Sequence, residues 1–313
     1  MPKPSRPKLL IDTDPGVDDA LAILMAHEHA DVVGLCIAAG NVGLEHTVGN
    51  ALKLVETIGA ATPVFPGCPM PLVLPAEDAA FVHGQDGFGD CGYLPAVRQA
   101  EAEHAALAIL RLSHRHAGEL VLVAIAPLTN LALALRLDPT LPQRVAKLVV
   151  MGGAVTLRGN MPNRLGAEFN IGFDPEAAHV VFSGWPQLTL VDWEATVRHG
   201  IGFERLRTWL AADDARARFY AAISRKPRAW SRQRGRPELL IADALAMAVA
   251  LDADAVTRSA EHHVAIELGG SHARGATVVD VDGRSGRPAN ARIVYEVDRE
   301  RFEALVAAAL GAA

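Results

Sequence analysis

The sequence is poor in the residues that characterise disulfide-rich and nucleic-acid-binding proteins. Among 313 residues there are 3 cysteines and 5% aromatic residues, and the formal net charge is −6. The odd number and wide spacing of Cys36, Cys68 and Cys91 argue against disulfides and favour a reducing, cytoplasmic location. Without an excess of positive charge the chain has no general attraction for a polyanion, so no nucleic-acid partner is expected.

Long apolar runs are also absent from the sequence. The run from Ala20 to Ala26 is too short to cross a bilayer, so no membrane partner is expected. The basic, proline-rich start of the chain leads into an apolar run too short for the core of a signal peptide. Half of the residues are hydrophobic and no linker or repeat divides them, which predicts a single globular domain over 1–313.

Short apolar runs alternate with longer helix-like stretches along most of the chain. Strands that are apolar throughout and separated by helices predict an α/β fold, with a mostly parallel, Rossmann-like central sheet flanked by helices. Further strands are expected near the C-terminus. The predicted strands are 9–11, 32–38, 120–125, 148–150, 188–191, 263–268, 277–281 and 292–297, and the predicted helices are 20–29, 47–58, 128–137, 175–182 and 299–310.

A basic segment at 225–236 breaks this alternation. It contains six basic residues and one aromatic residue, Trp230, together with glycine and proline. This composition predicts an exposed, lid-like loop at about 224–237, between two helices.

Four carboxylates follow the first predicted strand within eight residues: Asp12, Asp14, Asp18 and Asp19. A turn at Asp14 and capping of the next helix by Asp18 or Asp19 explain one or two of them. Two like charges about 4 Å apart repel by roughly 4 kcal/mol at an effective dielectric near 20. The loop is therefore expected to bind a cation, a proton or a hydroxyl-rich ligand. Its all-oxygen ligands favour a hard cation, Ca²⁺ ahead of Mg²⁺.

The loop from Asp12 to Ala20 resembles the N-terminal signature of the nucleoside hydrolases, the inosine-uridine preferring family. Further motifs of that family follow in order, so the resemblance covers nearly the whole chain. They are Gly40-Asn41, His83-Gly84-Gln85-Asp86-Gly87, Pro127-Leu128-Thr129-Asn130, Met151-Gly152-Gly153, Ala167-Glu168-Phe169-Asn170, Asp174-Pro175-Glu176-Ala177-Ala178, Asp243-Ala244-Leu245-Ala246 and Arg274-Gly275.

The resemblance implies a Ca²⁺-dependent enzyme that hydrolyses the N-glycosidic bond of ribonucleosides to free base and ribose. It implies that Asp14, Asp19, Asp243 and the backbone carbonyl of Thr129 hold the ion, with two ribose hydroxyls and one water completing the shell. Asp14 would also deprotonate that water. Such enzymes are expected to be homodimers or homotetramers.

The resemblance also implies a set of sugar-binding residues, namely Asp18, Asn41, Glu168, Asn170 and an asparagine in the segment 159–166. An extended backbone at 168–170 would point Glu168 and Asn170 to one face. Either Asn160 or Asn163 could be the remaining asparagine, and Asn160 is preferred because it keeps a preceding glycine.

The chain departs from the family pattern at Ala242, where many members have a histidine or a tryptophan that assists the leaving base. His83 is one candidate for that role, because its motif belongs to the base end of the pocket. Trp230 with Arg232 or Arg234 is the other. A structural role for each of these residues stays open.

Two other functions fit the acidic loop. A Mg²⁺-dependent phosphotransferase would use an aspartyl nucleophile in the Asp12-Thr13-Asp14 segment and would need a later lysine; Lys147, however, is predicted to precede its strand. A non-catalytic nucleoside- or ribose-binding protein would have kept the metal loop and lost turnover.

Overall fold

A central sheet of nine strands organises the chain in the computed structural model, which describes residues 6–312. Two further strands, β7 and β8, form a separate antiparallel pair. In chain order the strands are β1 (Lys8–Thr13), β2 (Asp31–Ile37), β3 (Val64–Pro66), β4 (Leu120–Ala124), β5 (Val145–Met151), β6 (Leu188–Val191), β7 (Ile201–Gly202), β8 (Glu238–Leu239), β9 (Val256–Ile266), β10 (Thr277–Asp280) and β11 (Ala291–Val297).

Helices cover both faces of this sheet. In chain order they are α1 (Val17–His29), α2 (Leu44–Ile58), α3 (Ala80–His83), α4 (Ala105–Arg115), α5 (Thr129–Leu137), α6 (Phe169–Phe173), α7 (Pro175–Gly184), α8 (Trp193–Arg198), α9 (Phe203–Leu210), α10 (Ala215–Ile223), α11 (Arg225–Gln233), α12 (Ala242–Leu251) and α13 (Arg299–Ala309). No helix in the described part of the chain is long and apolar enough to span a membrane.

The sheet is mostly parallel, as predicted. Its strand order is β3-β2-β1-β4-β5-β6-β11-β9-β10, and only β9 runs antiparallel to its neighbours. Strands β2 and β3 thus extend the sheet on one side of β1, and strands β4, β5 and β6 extend it on the other side. Ligands of such sheets bind at the carboxyl ends of the strands where the order reverses, which here is the edge between β1 and β4.

The strands are apolar on both faces because helices pack against both faces of the sheet. Leu10 packs with α4, α5 and α7 on one face, whereas Leu9 and Ile11 pack with α1 and α12 on the other, and all three side chains are fully buried. Helices α1 and α12 are rich in alanine and pack against each other. Both begin at the same edge of the sheet, so the acidic residues in their first turns come together.

The predicted loop over the basic segment is wrong, because residues 225–233 form helix α11. Pro227 lies in the first turn of the helix, where its missing N–H costs no hydrogen bond, and Gly235, with φ of 67°, lies beyond its end. The proline therefore lies where the helix tolerates it and the glycine lies beyond the helix, so neither residue interrupts the helical hydrogen bonds. Pro227 and Ser231 are buried beneath the exposed basic side chains.

Strand β9 starts earlier than predicted, at Val256 instead of residue 263, and ends at Ile266. Its first half carries polar and charged residues that remain partly exposed, so no apolar run marked it in the sequence. It pairs with β11 along most of its length.

Replacing Leu122 by alanine should destabilise the fold. Leu122 is fully buried in β4, and deleting a buried leucine side chain costs about 2–5 kcal/mol through lost burial and the cavity left behind. Urea denaturation measures this loss in the free energy of unfolding. Val278→Ala, in the edge strand β10 where the side chain is 49% exposed, is the control and should cost far less. Equal losses in the two variants would contradict this account of the core.

Candidate active site

The acidic loop between β1 and α1 is held in place by its own carboxylates. Asp19 Oδ1 accepts hydrogen bonds from Thr13 Oγ1 (2.6 Å) and the Asp14 backbone N–H (3.2 Å), and Asp19 Oδ2 accepts from the Gly16 N–H (2.9 Å). Gly16 is the N-cap of α1, so Asp19 lies in the first turn and closes the loop back onto it. This confirms the expected capping by one of the two acids.

The segment after β2 fixes the position of Asp14. The Asn41 backbone N–H donates to Asp14 Oδ2 (2.7 Å), and its side-chain amide donates to the Asp14 carbonyl (3.1 Å) and to Asp19 Oδ2 (2.9 Å). Any side chain at Gly40 would collide with the Asp14 carboxylate. The backbone and side-chain N–H groups of Asn41 thus donate to the acidic loop, and its side-chain oxygen is the atom left for a ligand.

Three carboxylates converge at the edge of the sheet. Oxygen atoms of Asp18, Asp19 and Asp243 lie within 4.8 Å of one another, and Asp14 is close enough to Asp19 for the two charges to repel. Burial, reinforced by like charge, raises the pKa of Asp14 and Asp243 well above the usual range. Burial also raises the pKa of Asp18 to about 6.

The donor set fits a hard divalent cation. Asp14 Oδ1 and Asp18 Oδ1 are buried without a hydrogen-bond partner among the described residues, and both Asp19 oxygens already accept hydrogen bonds. Buried charges of one sign and orphaned carboxylate oxygens are stabilised by a bound cation, and oxygen ligands suit Ca²⁺ or Mg²⁺. Of the predicted trio, Asp19 and Asp243 come together with Asp18, and Asp14 adjoins Asp19 through its backbone.

Thr129 opens α5, directly after β4. Its hydroxyl donates to Asp174 Oδ2 (2.8 Å), which itself caps α7. These contacts hold Thr129 at the correct edge of the sheet, while the role of its carbonyl as a metal ligand remains a prediction.

The fourth acid of the loop, Asp12, has a different environment. It is fully buried, and its Oδ1 accepts from Asn130 Nδ2 (2.9 Å), whose own Oδ1 accepts from the Cys68 N–H (2.8 Å). Burial raises the pKa of Asp12 to about 7. Asp12 therefore ties β1 to α5 beneath the site; like Asp14 and Asp19, it is absent from the described lining of the cavity.

A cavity of about 500 Å³ opens beside the acidic cluster. This volume lies within the usual range for small-molecule sites. Its buried end is lined by Asn41, Glu168, Asn170 and Asp243 with the half-buried Asp18, and its mouth by Phe81, Trp230 and Arg234. Four of the predicted sugar-binding residues, Asp18, Asn41, Glu168 and Asn170, thus line one end of the cavity.

Glu168 and Asn170 reach the cavity by a different route from the one predicted. Glu168 is extended as predicted, but the prediction is wrong for residues 169 and 170, because α6 begins at Phe169. Glu168 is the N-cap of this helix, and its carboxylate accepts the N–H groups of Asn170 (3.0 Å) and Ile171 (3.2 Å). Asn170 Nδ2 donates to the carbonyls of Ile125 (3.2 Å) and Met151 (3.3 Å) at the ends of β4 and β5. Burial raises the pKa of Glu168 to about 7.

Both asparagines are exposed, but Asn160 is in the described lining of the cavity and Asn163 is not. The structure thus brings the preferred asparagine to the site. Its contact with the sugar remains a prediction.

His83 lines the cavity at the end of α3. Its Nδ1 accepts from the Val17 N–H (3.1 Å) and lies 3.9 Å from Asp18 Oδ1. Burial lowers the pKa of His83 to about 4, so the ring is neutral near pH 7. In this arrangement His83 can donate a hydrogen bond through Nε2 but carries no extra proton for a leaving group.

Two of the three residues proposed from the basic segment line the cavity: Trp230 and Arg234. Arg232 stacks on Phe203, with its guanidinium carbon 4.4 Å from the ring centroid, and lies outside the lining. Phe81 and Tyr220 also line the cavity and were not predicted. The Tyr220 hydroxyl is buried without a hydrogen-bond partner among the described residues, and no local motif marks its position.

The acidic cluster should make stability depend on both pH and a divalent cation. In metal-free protein, carboxyl groups with raised pKa values stabilise the fold only while they are protonated. For Asp18, this contribution to the free energy of unfolding is complete below its ordinary pKa of 3.8 and is lost as the pH rises through about 6. Ca²⁺ at 100 times its Kd should restore about 2.7 kcal/mol at neutral pH. Urea denaturation after EDTA dialysis, with and without CaCl₂ or MgCl₂, measures both effects.

Asp243→Asn removes one of the clustered carboxylates and should lose most of the stabilisation by the cation. Asp282→Asn, a surface substitution at an Arg284 ion pair, should retain it in full. A wild-type protein whose unfolding ignores both cations would contradict the metal site.

Comparison with known proteins connects this geometry to a family. The family model described as inosine-uridine preferring nucleoside hydrolase matches residues 9–304. The non-specific ribonucleoside hydrolase RihC of Klebsiella pneumoniae is 38% identical over 299 residues, covering 94% of this chain and 95% of the relative.

Solved structures give the same result. A plant nucleoside hydrolase, PpNRh1, superposes with a TM-score of 0.91 at 30% identity, covering 98% of this chain and 100% of the other. The purine-preferring ribonucleoside hydrolase of Gardnerella vaginalis gives 0.89 at 29% identity, covering 97% and 98%. The resemblance seen in the motifs is confirmed, and the chain belongs to the inosine-uridine preferring nucleoside hydrolase family.

Proposed function

We propose that this protein is a Ca²⁺-dependent hydrolase that cuts the N-glycosidic bond of ribonucleosides and releases a free base and ribose. The observation that carries the proposal is the position of the acidic cluster at the buried end of a nucleoside-sized cavity. A vicinal diol is a bidentate oxygen ligand for a hard cation, and the neighbouring carboxylates and amides accept or donate hydrogen bonds to hydroxyls.

Asp14, Asp19 and Asp243 would hold the ion together with the carbonyl of Thr129. When bound, a divalent cation orients the sugar hydroxyls and the attacking water and lowers the pKa of nearby acids. The hydrogen bond from the Asn41 backbone N–H holds the carboxylate of Asp14 on Oδ2, and Oδ1 has no partner among the described residues. That free oxygen is the atom of Asp14 that would take the proton of the water.

Asp18, Asn41, Asn160, Glu168 and Asn170 would bind the ribose. The anomeric carbon becomes oxocarbenium-like as the base departs, a transition state shared with the cleavage of O-glycosides. Carboxylates fixed beside the sugar stabilise the positive charge that develops there. Glu168 is suited to this because three backbone N–H groups fix its carboxylate.

Departure of the base needs help that Ala242 cannot give. His83 would contribute a hydrogen bond through Nε2 from a neutral ring, since its Nδ1 is occupied by the Val17 N–H. Trp230, which lines the cavity mouth, would also assist departure of the base. The names of the related proteins range from non-specific to purine-preferring, so family membership leaves the base preference open.

The proposal extends to the setting of the enzyme. We infer a role in purine and pyrimidine salvage in the cytoplasm, with a ribonucleoside as the partner and no nucleic acid or membrane involved. A homodimer or homotetramer is inferred from the family resemblance, and light scattering of the purified protein tests it.

The phosphotransferase alternative has weak support from the structure. Lys147 lies within β5, not before it, and its Nζ donates to the Val249 carbonyl (2.9 Å). The described lining of the cavity contains no lysine, the residue that this alternative requires. Phosphate release from p-nitrophenyl phosphate would revive this alternative.

The test of the proposed function is a reducing-sugar assay over purine and pyrimidine ribonucleosides, with Ca²⁺ or after EDTA treatment. We expect ribose release that depends on Ca²⁺. Nucleoside binding by calorimetry without ribose release over hours would indicate the binding-protein alternative. Full activity after removal of metal would overturn the dependence on Ca²⁺.

Asp14→Asn should abolish most of the turnover while the fold is kept, because an amide oxygen fixed at this position cannot accept the proton of the water. General bases contribute about 10²–10⁴-fold, so a loss of at least this size in kcat is expected. Steady-state kinetics measures the loss, and circular dichroism checks the fold. Asp282→Asn again serves as the control. Hydrolysis by Asp14→Asn at the wild-type rate would exclude Asp14 as the base.

A further inference from the structure

Two arginines are the permanent cations in the described lining of the cavity. Arg234 and Arg236 follow α11, and no carboxylate of the described residues forms an ion pair with either. The acidic residues at this side of the cavity have other partners: Glu77 pairs with Arg164 (3.1 Å), and Asp78 accepts from the Ala80 N–H (3.1 Å). Both guanidinium groups are therefore available to a ligand.

Trp230 holds Arg234 in a defined orientation. The guanidinium carbon of Arg234 lies 3.9 Å from the centroid of the Trp230 ring, and that of Arg236 lies 5.4 Å away. A guanidinium stacks flat on an indole face, which fixes the plane of its N–H donors. Phe81 supports the same ring, with its centroid 6.4 Å from that of Trp230. One face of Trp230 is thus occupied by Arg234 instead of being free for a base.

The position of Arg234 relative to the sugar site determines which part of a bound nucleoside lies near its guanidinium group. The buried acids and amides lie at the inner end of the cavity, and Arg234 is exposed at its mouth. A nucleoside whose ribose reaches the acidic cluster extends its base toward the mouth. Arg234 would therefore lie at the outer edge of the base.

A guanidinium has five N–H donors and no acceptor. A 6-oxopurine presents O6 and N7 as two adjacent acceptors, which match the guanidinium in a bidentate pair. Adenine presents an amino donor beside N7, cytosine also presents an amino donor, and uracil presents one carbonyl. We propose that Arg234, positioned by Trp230, makes the enzyme prefer 6-oxopurine ribonucleosides, inosine and guanosine, over adenosine and cytidine. This inference rests on the proposed nucleoside hydrolase function.

The same contact assists departure of the base where Ala242 offers no side chain. As the bond between the anomeric carbon and N9 breaks, its electron pair goes to the base, while water adds to the carbon and gives its proton to Asp14. Arg234 stabilises the negative charge that spreads to O6 and N7, and it transfers no proton, because a guanidinium stays protonated. The departing base takes its proton from solvent.

The test compares kcat/KM for inosine, guanosine, uridine, adenosine and cytidine in wild type, Arg234→Met and Arg232→Met. Arg232 is the matched control, because it lies in the same basic segment and stacks on Phe203 outside the cavity. We expect wild type to favour inosine and guanosine over adenosine. Arg234→Met should lower kcat/KM for these two substrates by about 10- to 100-fold, the usual value of one bidentate base contact, and leave adenosine nearly unchanged.

A second variant, Trp230→Leu, should give a smaller loss with the same selectivity, because it removes the support of Arg234 and keeps the charge. The proposal is overturned if wild type cleaves adenosine as well as inosine, or if Arg234→Met reduces all five substrates equally or none of them. Arg232→Met with the losses expected of Arg234→Met would also overturn it. If wild type releases ribose from no nucleoside, the proposed function itself fails, an outcome distinct from these.

Discussion

The site depends on the repulsion between carboxylates that the fold forces together in a buried place. Helices α1 and α12 both start at the edge where the strand order reverses, and their first turns carry Asp18, Asp19 and Asp243. Close packing of the two alanine-rich helices prevents these side chains from separating. The unfavourable energy of that arrangement becomes favourable when a divalent cation is shared, so the fold stores a preference for the ion.

The surrounding polar residues give each acid a distinct environment. Both oxygens of Asp19 accept hydrogen bonds, whereas Asp14 has one oxygen held and one without a partner among the described residues. Asp12 is tied to Asn130 below the cavity. Asn41 and Asn130 supply these differences from segments that follow other strands of the sheet. Similar residue types in one short loop thus acquire separate roles because different strands contribute their partners.

Much of this could be predicted from the sequence. Apolar strands between helix-like stretches indicated the parallel sheet, and the density of acids after β1 indicated a cluster of carboxylates that could bind a cation. Helix α11 was missed because its exposed face is so basic that its composition matches a loop, with only Pro227 and Ser231 buried. Tyr220 and Phe81 were missed because their place in the cavity comes from the packing of α10 and α3, which no local pattern encodes.

The hydrogen bond from the Val17 N–H to His83 has a mechanical consequence. It joins the short helix at the cavity mouth to the first turn of α1, which also carries Asp18 and Asp19. A movement of α3 that widened the entrance would therefore pull on the backbone next to those acids. One imidazole therefore links the position of α3 at the cavity to the backbone that carries these carboxylates.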